Sequence, residues 1–259
     1  MNLATRLSII IILLVSSFVF YLLAFHYVRI GGMLSAITFW SAVWLMIPKR
    51  FFNMVWGEIK KGRAYWISAS IYMTFHVLLY GAFYEALFGG VEYLPYVTVY
   101  FGAAVPPPLP YFIEYETEAI GFTFYLYGFV SDAIPYTIFL GLILSLLLGA
   151  NVERVLELWK TVKAKKKSIT LVVLPTVGII SGTSCCLSLP TLIIVTIAAG
   201  IGAVFSVLPI LASPTYYILV YYILPLGSVA LLTVNLRDLN RVLKCRFNRN
   251  WEIKSETKR

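Results

Sequence analysis

Long apolar runs separated by short polar clusters dominate this chain, and the runs predict membrane-crossing helices. A helix needs about 20 apolar residues to cross the hydrocarbon of a bilayer. The first run covers about residues 7–25, and the second covers 33–47 and is closed by Pro48-Lys49-Arg50. A third covers 66–88. The fourth, Ile120 to Ala150, is longer than one crossing needs and fits an interfacial helix followed by a span from about Ser131. Three more follow at 169–189, 190–212 and 215–236. The fold class expected is all-α, a polytopic transmembrane helical bundle of six or seven spans.

The polar intervals set the sidedness. Lys49, Arg50, Lys60, Lys61 and Arg63 cluster in one interval, and Lys160, Lys163, Lys165, Lys166 and Lys167 in another, 151–168. Basic clusters mark cytoplasmic loops and favour anionic lipid. Phe51, Phe52, Val55, Trp56 and Ile59 recur at helical spacing, which predicts a short helix on the membrane surface. The interval 89–118 has Glu92, Glu114, Glu116 and Glu118 but no Lys or Arg, so it belongs outside. It is the longest non-helical stretch expected, and Pro106-Pro107-Pro108-Leu109-Pro110 predicts a stiff polyproline II spacer or a partner motif within it.

With these loops fixed, the N-terminus lies inside. Seven full crossings would leave the basic tail, 237–259, outside. Six crossings with one re-entrant segment, around Pro175 to Pro190, keep it inside; such segments need protein or water to satisfy their backbone. The chain therefore divides into a region of about four spans (1–168), a small-residue-rich membrane region (169–236) and a basic cytoplasmic tail (237–259).

Composition agrees with this picture. Of 259 residues 60% are hydrophobic and 13% charged, against about 45–50% and about 25% in soluble domains. The net charge of +9 resides in the inner clusters, which points to topology more than to a nucleic-acid surface. Gln is absent, a trait of heat-adapted proteins that suggests a thermophilic, archaeal source. The first run is too long for a signal-peptide core and lacks a small-x-small cleavage site, so it is expected to be retained. Three cysteines do not make a disulfide framework.

Candidate chemistry concentrates in Ser181-Gly182-Thr183-Ser184-Cys185-Cys186. Neighbouring Cα atoms are about 3.8 Å apart, too close for an unstrained disulfide. Two readings stand. Thiolates at Cys185 and Cys186 would hold a soft metal, with Ser181, Thr183 and Ser184 lining a polar path; alternatively, the cysteines pack as small apolar residues beside Gly178 and Gly182. Ser184, Cys185, Cys186 and Pro190, followed by Thr191 to Ile201, resemble the vicinal-cysteine first span of the mercuric-ion transport proteins. That resemblance covers about 177–211 and implies a thiol pair that passes a soft metal through the membrane.

In the third span Tyr72, His76, Tyr80 and Tyr84 share one helical face, with Glu85 beside its outer end. An ionisable residue within a span marks a path for protons or metal, or else an inter-helix hydrogen bond. Asp132 is either a path residue in the fourth run or an interfacial cap. No phosphate-binding loop, His-Glu-x-x-His or Gly-x-Ser-x-Gly is present, which predicts a protein that is not an enzyme.

Together these features predict a membrane transport protein or channel. The size, many spans and basic tail are also similar to polytopic subunits of archaeal DNA-import and secretion systems, which implies a separate ATPase docked on the basic loops. A third expectation is a non-catalytic anchor subunit of a respiratory complex. All three predict membrane lipid and other membrane subunits as partners, in an oligomer or complex.

Overall fold

The computed structural model describes residues 2–88, 97–118, 120–126, 129–164, 189–211 and 213–256. It is mostly helical. Helix α1 (Leu3–Ala24) begins where the Asn2 carboxamide accepts the Thr5 amide at 2.8 Å, satisfying one free amide of the first turn. Helix α2 (Val28–Met46) follows after a three-residue turn. A short α3 (Lys49–Phe52) runs into a π-helical turn, Asn53–Gly57, so the surface stretch is helical as its spacing predicts. Helix α4 is Arg63–Phe88.

The next region departs from the expectation of one helical class. Strand β1 (Val97–Ala103) pairs antiparallel with β2 (Ile120–Leu126), and β2 with β3 (Phe129–Ala133). Ile120–Leu126 and Phe129–Ala133, expected to be interfacial helix and the start of a span, are thus strand. The alternating aromatic and β-branched residues of Ile120-Gly-Phe-Thr-Phe-Tyr-Leu fit a pleated surface better than a helix. Between β1 and β2 a 3₁₀ turn (Leu109–Tyr111) leads into helix α5 (Phe112–Glu118), so the outer interval is not wholly non-helical. Pro108 has the extended dihedrals expected, φ −56° and ψ 153°. The proline run is nevertheless no free spacer: Pro106 is buried, and the Tyr21 hydroxyl donates to the Pro107 carbonyl.

Helix α6 (Pro135–Ala164) runs through Asn151 and most of what hydropathy marks as an inner loop. Leu147, Asn151 and Leu158 are buried along one side, and the charged residues take the others. Helix α7 (Leu189–Gly200) and helix α8 (Val204–Leu211) replace the single span expected over 190–212. Gly202 breaks them apart with φ +70°, a left-handed conformation open to glycine. Twelve residues of α7 reach about 18 Å, short of the roughly 30 Å of hydrocarbon. Helix α9 (Pro214–Tyr217) passes through a π-helical turn, Ile218–Ile223, into helix α10 (Leu224–Glu256). Pro225 lacks an amide and its ring crowds the carbonyl four residues back, a cause of such widened turns. Helix α10 crosses residue 236 without a break, and Leu232, Leu236, Leu239 and Leu243 form its buried stripe.

Four helical stretches among the described residues are long and apolar enough to cross a membrane: Leu3–Ala24, Val28–Met46, Pro135–Lys160 and Pro214–Leu243. Burial in the first two is the reverse of a soluble protein's. Gly31, Gly32, Ser35, Ala36 and Ala42 are the buried residues of α2, while Ile11, Ile12, Val15 and Val19 of α1 and Ile30 and Ile37 of α2 are exposed. Small residues let helices approach closely, and large apolar ones suit lipid. That pattern fits a membrane-embedded chain.

The chain forms two compact units, residues 1–51 with 76–142, and residues 52–75 with 143–259. In the first, α1 and α2 form an antiparallel hairpin. The Arg6 guanidinium at the start of α1 donates to the Leu45 carbonyl at 2.8 Å through Nε and to the Ile47 carbonyl through Nη2, covering the free carbonyls at the end of α2. Hydrogen bonds to a charged group contribute about 1.5–3 kcal/mol. Arg6→Ala is expected to lower the melting temperature of detergent-solubilised protein clearly, and Arg6→Lys to restore part of the loss.

In the second unit Asn151 joins α6 to α10. Its Nδ2 donates to the Leu147 and Leu232 carbonyls at 2.8 and 3.1 Å, and its Oδ1 accepts from Asn235 at 2.9 Å. Leu158, Leu239 and Leu243 pack below this polar tie. The Lys61 ammonium lies 3.9 Å from the centre of the Trp56 ring, which meets Trp66 edge-on.

Candidate functional site

The described residue with the most unusual environment is Glu116. Helix α5 buries Tyr115, Glu116 and Thr117, and Glu116 is fully buried. Tyr21 of α1 stands at the centre of the surrounding aromatics. Its ring meets Phe112 at 5.1 Å, Tyr115 at 5.4 Å and Phe25 at 5.6 Å, all edge-on. Trp40 of α2 closes another side, its indole N–H donating to the Glu116 backbone carbonyl at 2.8 Å.

The carboxyl group meets two buried serines. Ser35 Oγ lies within hydrogen-bond reach of Glu116 Oε1 and, at 2.8 Å, of the Ser17 carbonyl. Ser17 Oγ is 3.3 Å from Ser35 Oγ. A serine hydroxyl has one proton to donate, and here two acceptors compete for it. Both contacts are satisfied when the acid is protonated: Glu116 O–H donates to Ser35 Oγ, and Ser35 O–H donates to the Ser17 carbonyl. Ionised, Glu116 would leave one of the two without a donor. Oε2 has no hydrogen-bond partner among the described residues, and no basic side chain pairs with the group there.

Electrostatics point the same way. Burial pushes the Glu116 carboxyl up from its ordinary 4.5 to about 7; donation from Ser35 pulls it down, but less strongly. Burial, with the Glu116 charge second, lifts the adjacent Tyr115 phenol to about 12. The site therefore holds one group that changes charge near neutrality, in a pocket of neutral hydroxyls and aromatic rings. Sequence reasoning missed it by assigning Glu116 to an outer loop. The available signals were the aromatic, helix-compatible run Tyr111-Phe112-Ile113 before it and the small-residue stripe Gly31, Gly32, Ser35, Ala36 that makes room for it.

The residues singled out in sequence are scattered. His76 of α4 is buried, and its Nε2–H donates to the Thr137 carbonyl in the first turn of α6 at 3.0 Å. That bond ties two helices and fixes one ring nitrogen as the protonated one. Asp132 lies on β3, opposite Thr123 and three residues before α6, outside the spanning helix. Its side chain and that of Glu85 on α4 lie outside the described residues, as do Cys185, Cys186, Ser181, Thr183 and Ser184 entirely. Most of the segment expected to re-enter the membrane, 175–190, also lies outside them. Among the described residues no three His, Cys, Asp or Glu side chains converge as metal ligands.

Comparisons with protein-family models, with characterised proteins and with solved structures find no match to this chain.

Proposed function

We propose that the chain is a multi-pass membrane transport protein in which Glu116 takes up and releases the coupling proton. The observation that carries this reading is the buried Glu116 carboxyl, which competes with the Ser17 carbonyl for the single Ser35 hydroxyl proton, an arrangement that favours the protonated acid. A buried ionisable group at or near a membrane span, without a basic partner, is the usual mark of an ion or proton path. Burial with a raised pKa places the charge change in the physiological range. In the orientation this reading adopts, the N-terminus and the basic segments face the cytoplasm, and α5 with Glu116 faces the opposite side.

A pH-jump on proteoliposomes adsorbed to a solid-supported membrane tests the proposal. The parent chain is expected to give transient currents whose size follows a titration centred at about 7, and Glu116→Gln to give none. Glu116→Asp, with a shorter acid, should keep a reduced signal. Currents from Glu116→Gln equal to the parent's would sink the reading.

A further inference from the structure

A cavity of about 610 Å³ opens beside the Glu116 site, between α2, the β-sheet and the first turns of α6. Its size is in the range of small-molecule pockets, about 300–1,000 Å³. Met33, Ile37, Trp40 and Trp44 supply the α2 wall, and Phe139 and Leu142 the α6 wall. Among the described residues no charged side chain lines it, and Ser41 is the one hydroxyl. Ile37 and Leu142 are 57% and 42% exposed. In a helix pair that turns its large apolar residues outward, such exposure means that the mouth opens to lipid.

Trp40 belongs to both places. Its ring lines the cavity and lies 4.8 Å from Phe139, while its N–H holds the backbone of Glu116. Ala36 likewise lines the cavity and packs with Tyr21 and Tyr115 around the acid. One layer of side chains thus separates an apolar, lipid-open cavity from a buried carboxyl whose Oε2 lacks a partner among the described residues. The groups facing that carboxyl are Ser17 and Tyr21 from α1, Ser35 from α2 and Tyr115 from α5, none of them cationic. The faces of the aromatic rings in the wall favour positive charge.

We propose that this cavity admits lipophilic organic cations from the bilayer, with their apolar bodies against Trp40, Trp44 and Phe139 and their charge balanced by Glu116. The proposal rests on Glu116 being the titrating group and adds the class of substrate. Where Glu116 is protonated, its O–H bond breaks on binding, the proton leaves to water, and the carboxylate that remains balances the cation's charge across the layer formed by Trp40 and Ala36. No other bond changes; each protonated site releases one proton on binding, and a site already ionised, as at about pH 8, releases none.

Tritiated tetraphenylphosphonium binding to the purified chain, read by scintillation proximity at about pH 8, where the acid is ionised, tests this. Saturable binding is expected, with the bound cation displaced by other lipophilic cations and not by tetraphenylborate, an anion of the same shape. Glu116→Gln should weaken it at least about tenfold, the equivalent of one lost charge interaction. Glu116→Asp should keep most of it, and Ile37→Trp, which fills the mouth from an exposed position, should reduce it. In weak buffer near neutrality, binding should acidify the medium. Parent-like affinity in Glu116→Gln, or equal competition by tetraphenylborate, overturns the cation site. Absent binding with normal pH-jump currents overturns it too and spares the proton reading, whereas absent currents with normal binding does the reverse.

Discussion

At about pH 8 the Glu116→Gln variant is expected to be more stable than the parent chain, and at about pH 4 the two are expected to melt together. Folding raises the Glu116 carboxyl from 4.5 to about 7. Below the lower value both folded and unfolded chains carry the proton, and the site contributes no penalty. Between the two values the unfolded chain releases its proton first, so it binds fewer protons than the folded chain and stability falls as pH rises. Above about 7 both are ionised, and the full penalty, about 3 kcal/mol, remains. Glutamine offers an amide N–H to donate to Ser35 Oγ in place of the acid's O–H and carries no charge, so it removes the pH dependence along with the penalty. The measurement is thermal unfolding in detergent, followed by loss of the monodisperse chromatographic peak, across that pH window. A parent chain whose stability is flat through the window would show that Glu116 is not the buried acid described above. An increase in stability toward pH 8 that Glu116→Gln abolishes would mean that a cationic partner holds the charge.

The membrane character of the chain was legible at once because hydropathy sums over many residues and tolerates local error. Helices α1 and α2 fall close to the runs that announce them. The failures arose where two physical signals compete within one apolar run. Residues 120–133 are as hydrophobic as a span, yet their aromatic and β-branched alternation makes strands β2 and β3. The reverse error occurred at 151–164, where abundant Lys and Arg suggested a loop, and helix also continues through the basic tail at 237–256. Both are helical extensions whose buried positions, Asn151 and Leu158 in one and Leu239 and Leu243 in the other, stand seven and four residues apart, two turns and one turn of helix. Average hydropathy hides such a stripe, and only its period reveals it.

The candidate site was illegible for a different reason. Glu116 lies in an acidic interval that looks solvent-exposed by composition, and nothing local says that α5 turns one carboxylate inward against the α1–α2 hairpin. The partners that bury it, Ser17, Tyr21 and Ser35, are some 80 to 100 residues away and look like ordinary packing residues. His76 was visible because a histidine in an apolar helix is rare. Rarity located a buried polar group, but not its role: its bond to the Thr137 carbonyl is a helix-to-helix tie.

Replacing Gly149 with valine is expected to disrupt the fold more than loss of the Arg6 contacts, because it strikes backbone and not a movable side chain. A Cβ at Gly149 of α6 would lie 2.8 Å from the Tyr65 carbonyl oxygen of α4, 3.3 Å from Ala69 Cβ and 3.4 Å from the Tyr65 ring. Real Cβ atoms essentially never approach backbone oxygen that closely, so the two helices must separate locally. Separation also strains the next contact along α6, where the Glu153 carboxylate accepts the Tyr65 amide at 3.1 Å at the start of α4. Inserting carbon into a close-packed helix crossing costs about 1–3 kcal/mol, and the branched side chain adds further contacts on both sides. Gly149→Ala should therefore lower the melting temperature moderately, and Gly149→Val should abolish the monodisperse form at ordinary temperature. Ala69→Gly, which removes the methyl group 3.3 Å away, should rescue part of the alanine variant's loss and little of the valine variant's, because the obstructing carbonyl stays in place. A Gly149→Val protein as stable as the parent would mean that α4 and α6 do not cross at Gly149 and Tyr65, and the packing of the second unit would have to be redrawn from that contact outward.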